Sequence, residues 1–127
     1  AAARMLTADL ELAQSVALAR QSSVAVVFSA DRQSYKVVIY TGQNLGDYAG
    51  LTPISHPGKP GQGYEVSIRG ELQLPNARVD SVSFGGLPFV VYDTFGSPMV
   101  GGSVVLSAGD AHLTGTVQPI TGAVSVQ

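Results

Sequence analysis

A single change of period, at Ser22, decides the architecture open to this chain. From Arg4 to Ser22 there is neither Gly nor Pro, and Ala, Leu, Met, Arg, Glu and Gln dominate, residues that lose little on entering a helix. After Ser22 apolar residues recur at every second position, Gly and Pro punctuate short segments, and Val, Ser, Thr and Tyr take over. The pattern predicts a helix over 1–22 and a β domain over 23–127.

At about 100° per residue, Met5, Leu6, Ala8, Leu10, Leu12, Ala13, Val16, Ala17 and Ala19 fall on one broad arc, opposite Arg4, Thr7, Glu11, Gln14 and Ser15. The helix is therefore amphipathic, and Leu6, Leu10, Ala13, Val16 and Ala17 are the face expected to pack on the sheet. Arg20 lies in the last turn, where a cation meets the carbonyl end of the helix dipole. Leu18 falls on the polar side. Asp9 falls inside the arc and has two readings: at the arc's edge it reaches water or a backbone amide, the preferred one, and enclosed it needs a hydrogen-bonding partner.

Strands are expected at Val24 to Ser29, Tyr35 to Thr41, Tyr64 to Arg69, Val79 to Phe84, Phe89 to Tyr92, Ser103 to Ser107, His112 to Val117 and Ala123 to Val126, about eight in all. Alternation is clean in Tyr64-Glu65-Val66-Ser67-Ile68 and around Val82, Phe84, Val124 and Val126, which predicts one buried and one wet face. Turn chemistry separates them at Ala30-Asp31-Arg32-Gln33, Phe84-Gly85-Gly86, Phe95-Gly96-Ser97-Pro98, Ala108-Gly109-Asp110 and Ile120-Thr121-Gly122. One connection, 42–63, is long and rich in Gly and Pro, a loop of the kind that is usually functional or mobile. The fold class is α+β: one N-terminal helix on a sandwich-like arrangement of short, mostly antiparallel strands.

Composition removes several kinds of function. With 7 Lys+Arg against 9 Asp+Glu the net charge is -2, and residues 79–127 hold no Lys or Arg, so a nucleic-acid groove in that half would lack its electrostatic attraction. The absence of Cys excludes disulfides, thiolate metal sites and thiol catalysis. Apolar runs such as Val24 to Phe28 are far short of the roughly 20 residues that span a bilayer. Charged residues make up only 13% of the chain, against roughly 25% in ordinary soluble domains.

No motif for chemistry emerges. His56 and His112 have no carboxylate at ligand spacing beside them and read as surface residues. Carboxylates occur singly, except Asp9 and Glu11, which a two-residue helical spacing points apart. No Gly-x-Ser-x-Gly elbow exists. Gly58-Lys59-Pro60-Gly61-Gln62-Gly63 lacks the Ser/Thr and the helix start that a phosphate cradle needs. Gly85-Gly86 and Gly101-Gly102 read as hairpin corners or bulges. No catalytic, cofactor-binding, metal or DNA-binding residue is assigned, and the protein is read as a non-enzyme.

The passage Leu6-Thr7-Ala8-Asp9-Leu10-Glu11-Leu12-Ala13-Gln14-Ser15-Val16-Ala17-Leu18-Ala19-Arg20, then Val24-Ala25-Val26-Val27-Phe28 and Tyr35-Lys36-Val37, resembles the H-type minor pseudopilins of type II secretion. It is equally similar to the related T-type minor pilins of type IV pili. Val82-Ser83-Phe84, Phe95-Gly96-Ser97-Pro98, Gly102-Ser103-Val104-Val105-Leu106 and Thr121-Gly122-Ala123-Val124-Ser125-Val126 extend the match over nearly the whole chain outside 42–63. The resemblance implies a pilin-like fold whose helix continues a missing apolar half, seated in the bacterial inner membrane, with the globular part in the periplasm or on a filament. It implies other pilin or pseudopilin subunits as partners, with secreted proteins beside them, and predicts about 20 apolar residues encoded upstream after a short basic leader. Two positions depart from the pattern. No cation accompanies the C-terminal strand, as it does in relatives linked to DNA uptake, and Gln14 stands where family members often carry Arg.

The expected function is that of a structural subunit of a secretion pseudopilus or type IV pilus. The rival is a pilus-displayed module binding DNA or a surface ligand through the 42–63 loop.

Overall fold

The computed structural model describes residues 2–31, 33–56, 59–67, 77–108 and 111–126. The element order is α1 (Ala2–Arg20), β1 (Val24–Phe28), β2 (Ser34–Ile39), β3 (Glu65–Ser67), β4 (Ala77–Ser83), β5 (Phe89–Tyr92), β6 (Gly102–Ala108), β7 (Ala111–Val117) and β8 (Val124–Val126). All eight expected strands are present, most within two residues of the expected ends. The expected extension of β3 through Ile68 and Arg69 lies outside the described residues, as do Arg32, Gly109 and Asp110 of the expected turns and Gly58 of the glycine-rich stretch.

Two four-stranded antiparallel sheets form, in the orders β3-β2-β1-β5 and β4-β6-β7-β8. One core joins them to the helix: Leu10, Ala13 and Ala17 meet Val24, Val26 and Phe28 of β1, Tyr92 of β5 and Val104 of β6. The helix ends because Gln21 turns left-handed, with φ 50°, and the amides of Gln21 and Ser22 donate back to the carbonyls of Leu18 and Ala17. That paired closure satisfies two carbonyls the helix itself leaves without partners.

Leu6, Leu10, Ala13 and Ala17 are buried, and Val16 and Leu12 are half-buried beside them. The spacing of four, three and four keeps the buried residues in one stripe. Ala8 and Ala19, placed on the apolar arc by the sequence, are exposed, because the sheets touch a narrower strip than the arc allows. The side chain of Met5 lies outside the described set.

Alternation with one wet face holds in β3 and at Val82 and Phe84, but the centre of the first sheet has no wet face. All five residues of β1 are buried, and so are Lys36 and Val38 of β2. Val24, Val26 and Phe28 face the shared core; Ala25 and Val27 face Leu45, Leu51 and Val91 in a second apolar layer. The unbroken Val-rich run of β1 is what a strand covered on both sides requires. Its cover is the first half of the long connection, residues 45–51, which lies back over the sheet with a single turn of 3-10 helix at Tyr48–Gly50. Backbone bonds fasten the connection: the Ile54 amide donates to the Val37 carbonyl at 2.8 Å, and the Tyr64 amide donates to the Ile54 carbonyl at 2.7 Å. In β4 the pairing register slips between Val79 and Ser81, so Asp80 and Ser81 both lie outside while Val79 and Val82 are buried. A β-bulge of this kind re-aims one side chain without breaking the ladder.

Candidate functional site

The helix is locked to the first sheet by a buried carboxylate. Asp9 is only 7% exposed, against the preferred reading that placed it in reach of water. Its two oxygens each accept a phenol, from Tyr35 of β2 and from Tyr64 just before β3. An enclosed carboxylate is tolerable only with partners of this kind. Burial pushes the Tyr64 phenol well above its ordinary value, and the hydrogen bond to Asp9 and its charge push the same way. His56 stacks on the Tyr64 ring, with centroids 4.3 Å apart and planes within 11°. Sequence reasoning missed Tyr35 and Tyr64 as partners; the signal was present, since both are phenols at strand starts whose inward face could meet Asp9.

A second lock holds the covering loop. Lys36, 7% exposed, donates to the carbonyls of Tyr48 at 2.9 Å and Leu51 at 3.1 Å, with its ammonium 4.5 Å from the centre of the Tyr48 ring. The Tyr48 hydroxyl donates to Glu65 at 2.6 Å and lies 2.9 Å from the Ser34 hydroxyl. Burial again raises this phenol, helped by Glu65. The loop expected to be mobile or ligand-binding is thus tied to the sheet at a buried cation, and nothing in the sequence set Lys36 apart from a surface lysine.

A third junction uses Gln14. Its amide donates to the carbonyls of Gly96 at 2.7 Å and Thr121 at 2.8 Å, stapling the β5–β6 and β7–β8 turns to the solvent side of the helix. Both neighbouring glycines answer to a left-handed backbone first, and to close side chains second. A Cβ at Gly96 would lie 2.9 Å from Leu18, and one at Gly122 would lie 2.6 Å from the Gln14 amide nitrogen; both have φ above 70°. An Arg at position 14 would supply donors to the same carbonyls, so the departure noted in the sequence leaves the contacts in place with a neutral group.

The histidines do not converge. His112, 60% exposed in its side chain, has Nδ1 at 3.4 Å from Asp80, a carboxylate the sequence did not place beside it. Ser107 also donates to Asp80, at 3.0 Å. The order of contacts is serine to aspartate to histidine, so the histidine does not accept from the serine as a nucleophilic triad needs. Among the described residues no group of three or more His, Asp or Glu could hold a metal ion.

Two clefts flank the covering loop. One, about 590 Å³, is polar and brings together Arg20, Thr41, Asn44, Asp47, Thr52 and Ser55. It holds a single carboxylate and no histidine. The other, about 530 Å³, lies between the covering loop, β5 and the turns at 84–87 and 99–100, and is lined chiefly by Tyr40, Leu45, Leu87, Phe89, Met99 and Val100, with no charged side chain. Leu87, Met99 and Val100 are exposed at its rim. No described helix is long and apolar enough to cross a membrane.

Over residues 2–121 the sequence matches the family described as type II transport protein GspH. Among curated protein sequences none matches. Solved structures share the fold. The minor pseudopilin EpsH from the type 2 secretion system of Vibrio cholerae superposes with a TM-score of 0.67 at 11% identity, over 98% of this chain and 92% of that one. The type IV minor pilin FimU of Pseudomonas aeruginosa gives 0.65 at 10% identity, over 99% of this chain and 85% of that one.

Proposed function

Because the chain belongs to the GspH family of type II transport proteins, we propose that it is a non-catalytic building block of a bacterial envelope filament. The filament is a secretion pseudopilus or a type IV pilus, and the subunit acts by assembling with other pilins or pseudopilins. The observation that carries this reading is the extent of the family match, which runs from the first turn of α1 to the turn before β8. It therefore includes the helix, the Asp9 lock and the Gln14 junction rather than one strand pair.

The chemistry agrees. The buried polar groups join helix to sheet and loop to sheet, which suits a rigid brick whose helix and head must keep one relative orientation when load passes between subunits. The helix itself continues toward an apolar segment in the inner membrane, which would supply most of the association energy, while the β surfaces select neighbours. DNA or ligand display through the 42–63 connection fits less well, since that connection covers the sheet and is held by Lys36, a cation already engaged.

The test is deletion of the gene in its own host, reading exoprotein export and surface pili together, with complementation by the intact gene. Loss of either function, with the product recovered in the envelope fraction, is the expected result. Normal export and normal piliation, with the product released free into the medium, would remove the proposal.

A further inference from the structure

We infer that Leu18, Phe95 and Ile120 form a docking surface for a neighbouring subunit, and that what covers it is an uncharged, apolar face of that neighbour. The inference rests on the filament-subunit reading and adds to it a named contact.

Three separate elements supply these side chains, and one amide gathers them. Gln14 holds the Gly96 and Thr121 carbonyls at 2.7 and 2.8 Å, and a Cβ on Gly96 would touch Leu18. The turns also meet each other, since a Cβ on Gly122 would lie 3.3 Å from Pro98. Phe95 and Ile120 are the residues next to the held carbonyls. They are 83% and 78% exposed, and Leu18 is 51% exposed. Scattered apolar residues on a surface need no explanation, but three large ones fixed around one tie form a patch.

Ile120 carries an independent sign of use. Its φ is 72°, a left-handed conformation that β-branched residues scarcely adopt. The turn itself serves the fold, with the Thr121 amide donating to the Pro119 carbonyl at 2.8 Å, but it does not call for isoleucine, whose side chain is in water; Asn or Gly would make the same turn more easily. Strain kept at an exposed apolar residue points to a contact made outside the subunit.

Charge and area choose the occupant. The only ionisable side chain in the two turns is Asp93, whose Oδ1 accepts the amides of Phe95 and Ser97 at 2.9 and 3.0 Å. Residues 79–127 hold no Lys or Arg, and the nearest cation on the helix, Arg20, follows Leu18 by two residues, about 200° further round the helix, so an acidic protein face or an anionic lipid finds no counter-charge within the two turns. Three side chains cannot cover the roughly 800 Å² per partner of a stable free-standing complex. The patch suits one contact among several in an assembly, not a soluble dimer.

Variants of the full gene product, made in its own cells, test the surface. Phe95→Ser and Ile120→Asn should each lower the amount recovered with sheared filaments by about tenfold. The melting temperature of the 127-residue chain should stay within about 2 °C for Phe95→Ser, and stay level or rise for Ile120→Asn. Leu113→Ser, at an exposed apolar residue on β7, should leave recovery unchanged. Wild-type recovery of both variants overturns the inference. So does sedimentation showing self-association of the chain that Phe95→Ser abolishes, which would make the occupant a second copy. Binding to phosphatidylcholine vesicles that both variants lose would overturn it in favour of lipid. Absence of the wild-type protein from the filament fraction instead removes the filament reading itself.

Discussion

At the scale of single residues, polar groups inside this protein are worth what their partners make them. Asp9 accepts two phenols in a buried site, so Asp9→Ala should strand both hydroxyls and cost about 3–5 kcal/mol in urea unfolding. If partner loss is the cause, Asp9→Ala combined with Tyr35→Phe and Tyr64→Phe should cost clearly less than the three single changes added together. Additive losses would mean the carboxylate stabilises the helix by another route. Tyr92 is the opposite case. It is fully buried, and its hydroxyl has no hydrogen-bond partner among the described residues. Removing that oxygen relieves an unpaired group, so Tyr92→Phe should leave stability unchanged or raise it by about 1 kcal/mol. A loss of more than about 1 kcal/mol would show that the phenol is paired in solution.

At the scale of elements, period was legible and partnership was not. The period of α1 and the alternation of β3, β4 and β8 carried the architecture, because an amphipathic element must bury its apolar side whatever lies opposite. What the 42–63 connection does was not legible. Leu45 and Leu51 are isolated apolar residues among Gly and Pro, and only the folded sheet supplies the Ala25, Val27 and Val38 face they cover. The same limit hid the Lys36 lock, whose partners are backbone carbonyls and leave no trace in residue type. Lys36→Met should therefore loosen the cover more than the core. Amide exchange is expected to quicken across 45–54 while the amides of β1 and β6 change little, for a cost of about 1–3 kcal/mol. Equal acceleration everywhere would mean loop and sheet open as one unit. The helix behaves differently: Leu10 is 1% exposed where both sheets meet it, so Leu10→Asp should cost at least about 3 kcal/mol and lower the melting temperature far below wild type. Unchanged melting would place another face inside.

At the scale of the whole molecule, the helix lock at Tyr64, the loop lock at Tyr48 and the core phenol of Tyr92, unpartnered among the described residues, share a chemistry with a consequence for pH. Burial holds the phenols of Tyr48, Tyr64 and Tyr92 protonated well beyond their ordinary value near 10, with Glu65 adding to the effect at Tyr48, Asp9 at Tyr64 and Glu11 at Tyr92. Below about pH 10 folded and unfolded chains both carry these protons, and the contribution to stability is complete. Above it the unfolded chain ionises while the folded chain does not. The unfolded state then binds fewer protons, and stability falls as pH rises. The decline should approach 1.4 kcal/mol per pH unit for each of Tyr64 and Tyr92, the two most enclosed. Urea midpoints taken from pH 8 to 11.5, alongside tyrosinate absorbance, would measure it, and Tyr92→Phe should remove its own share of the slope. A native chain whose phenols all ionise near pH 10 without loss of stability would show that the helix and loop locks are open to water, and a head so loosely joined to its helix could not hold one orientation between neighbours in a filament.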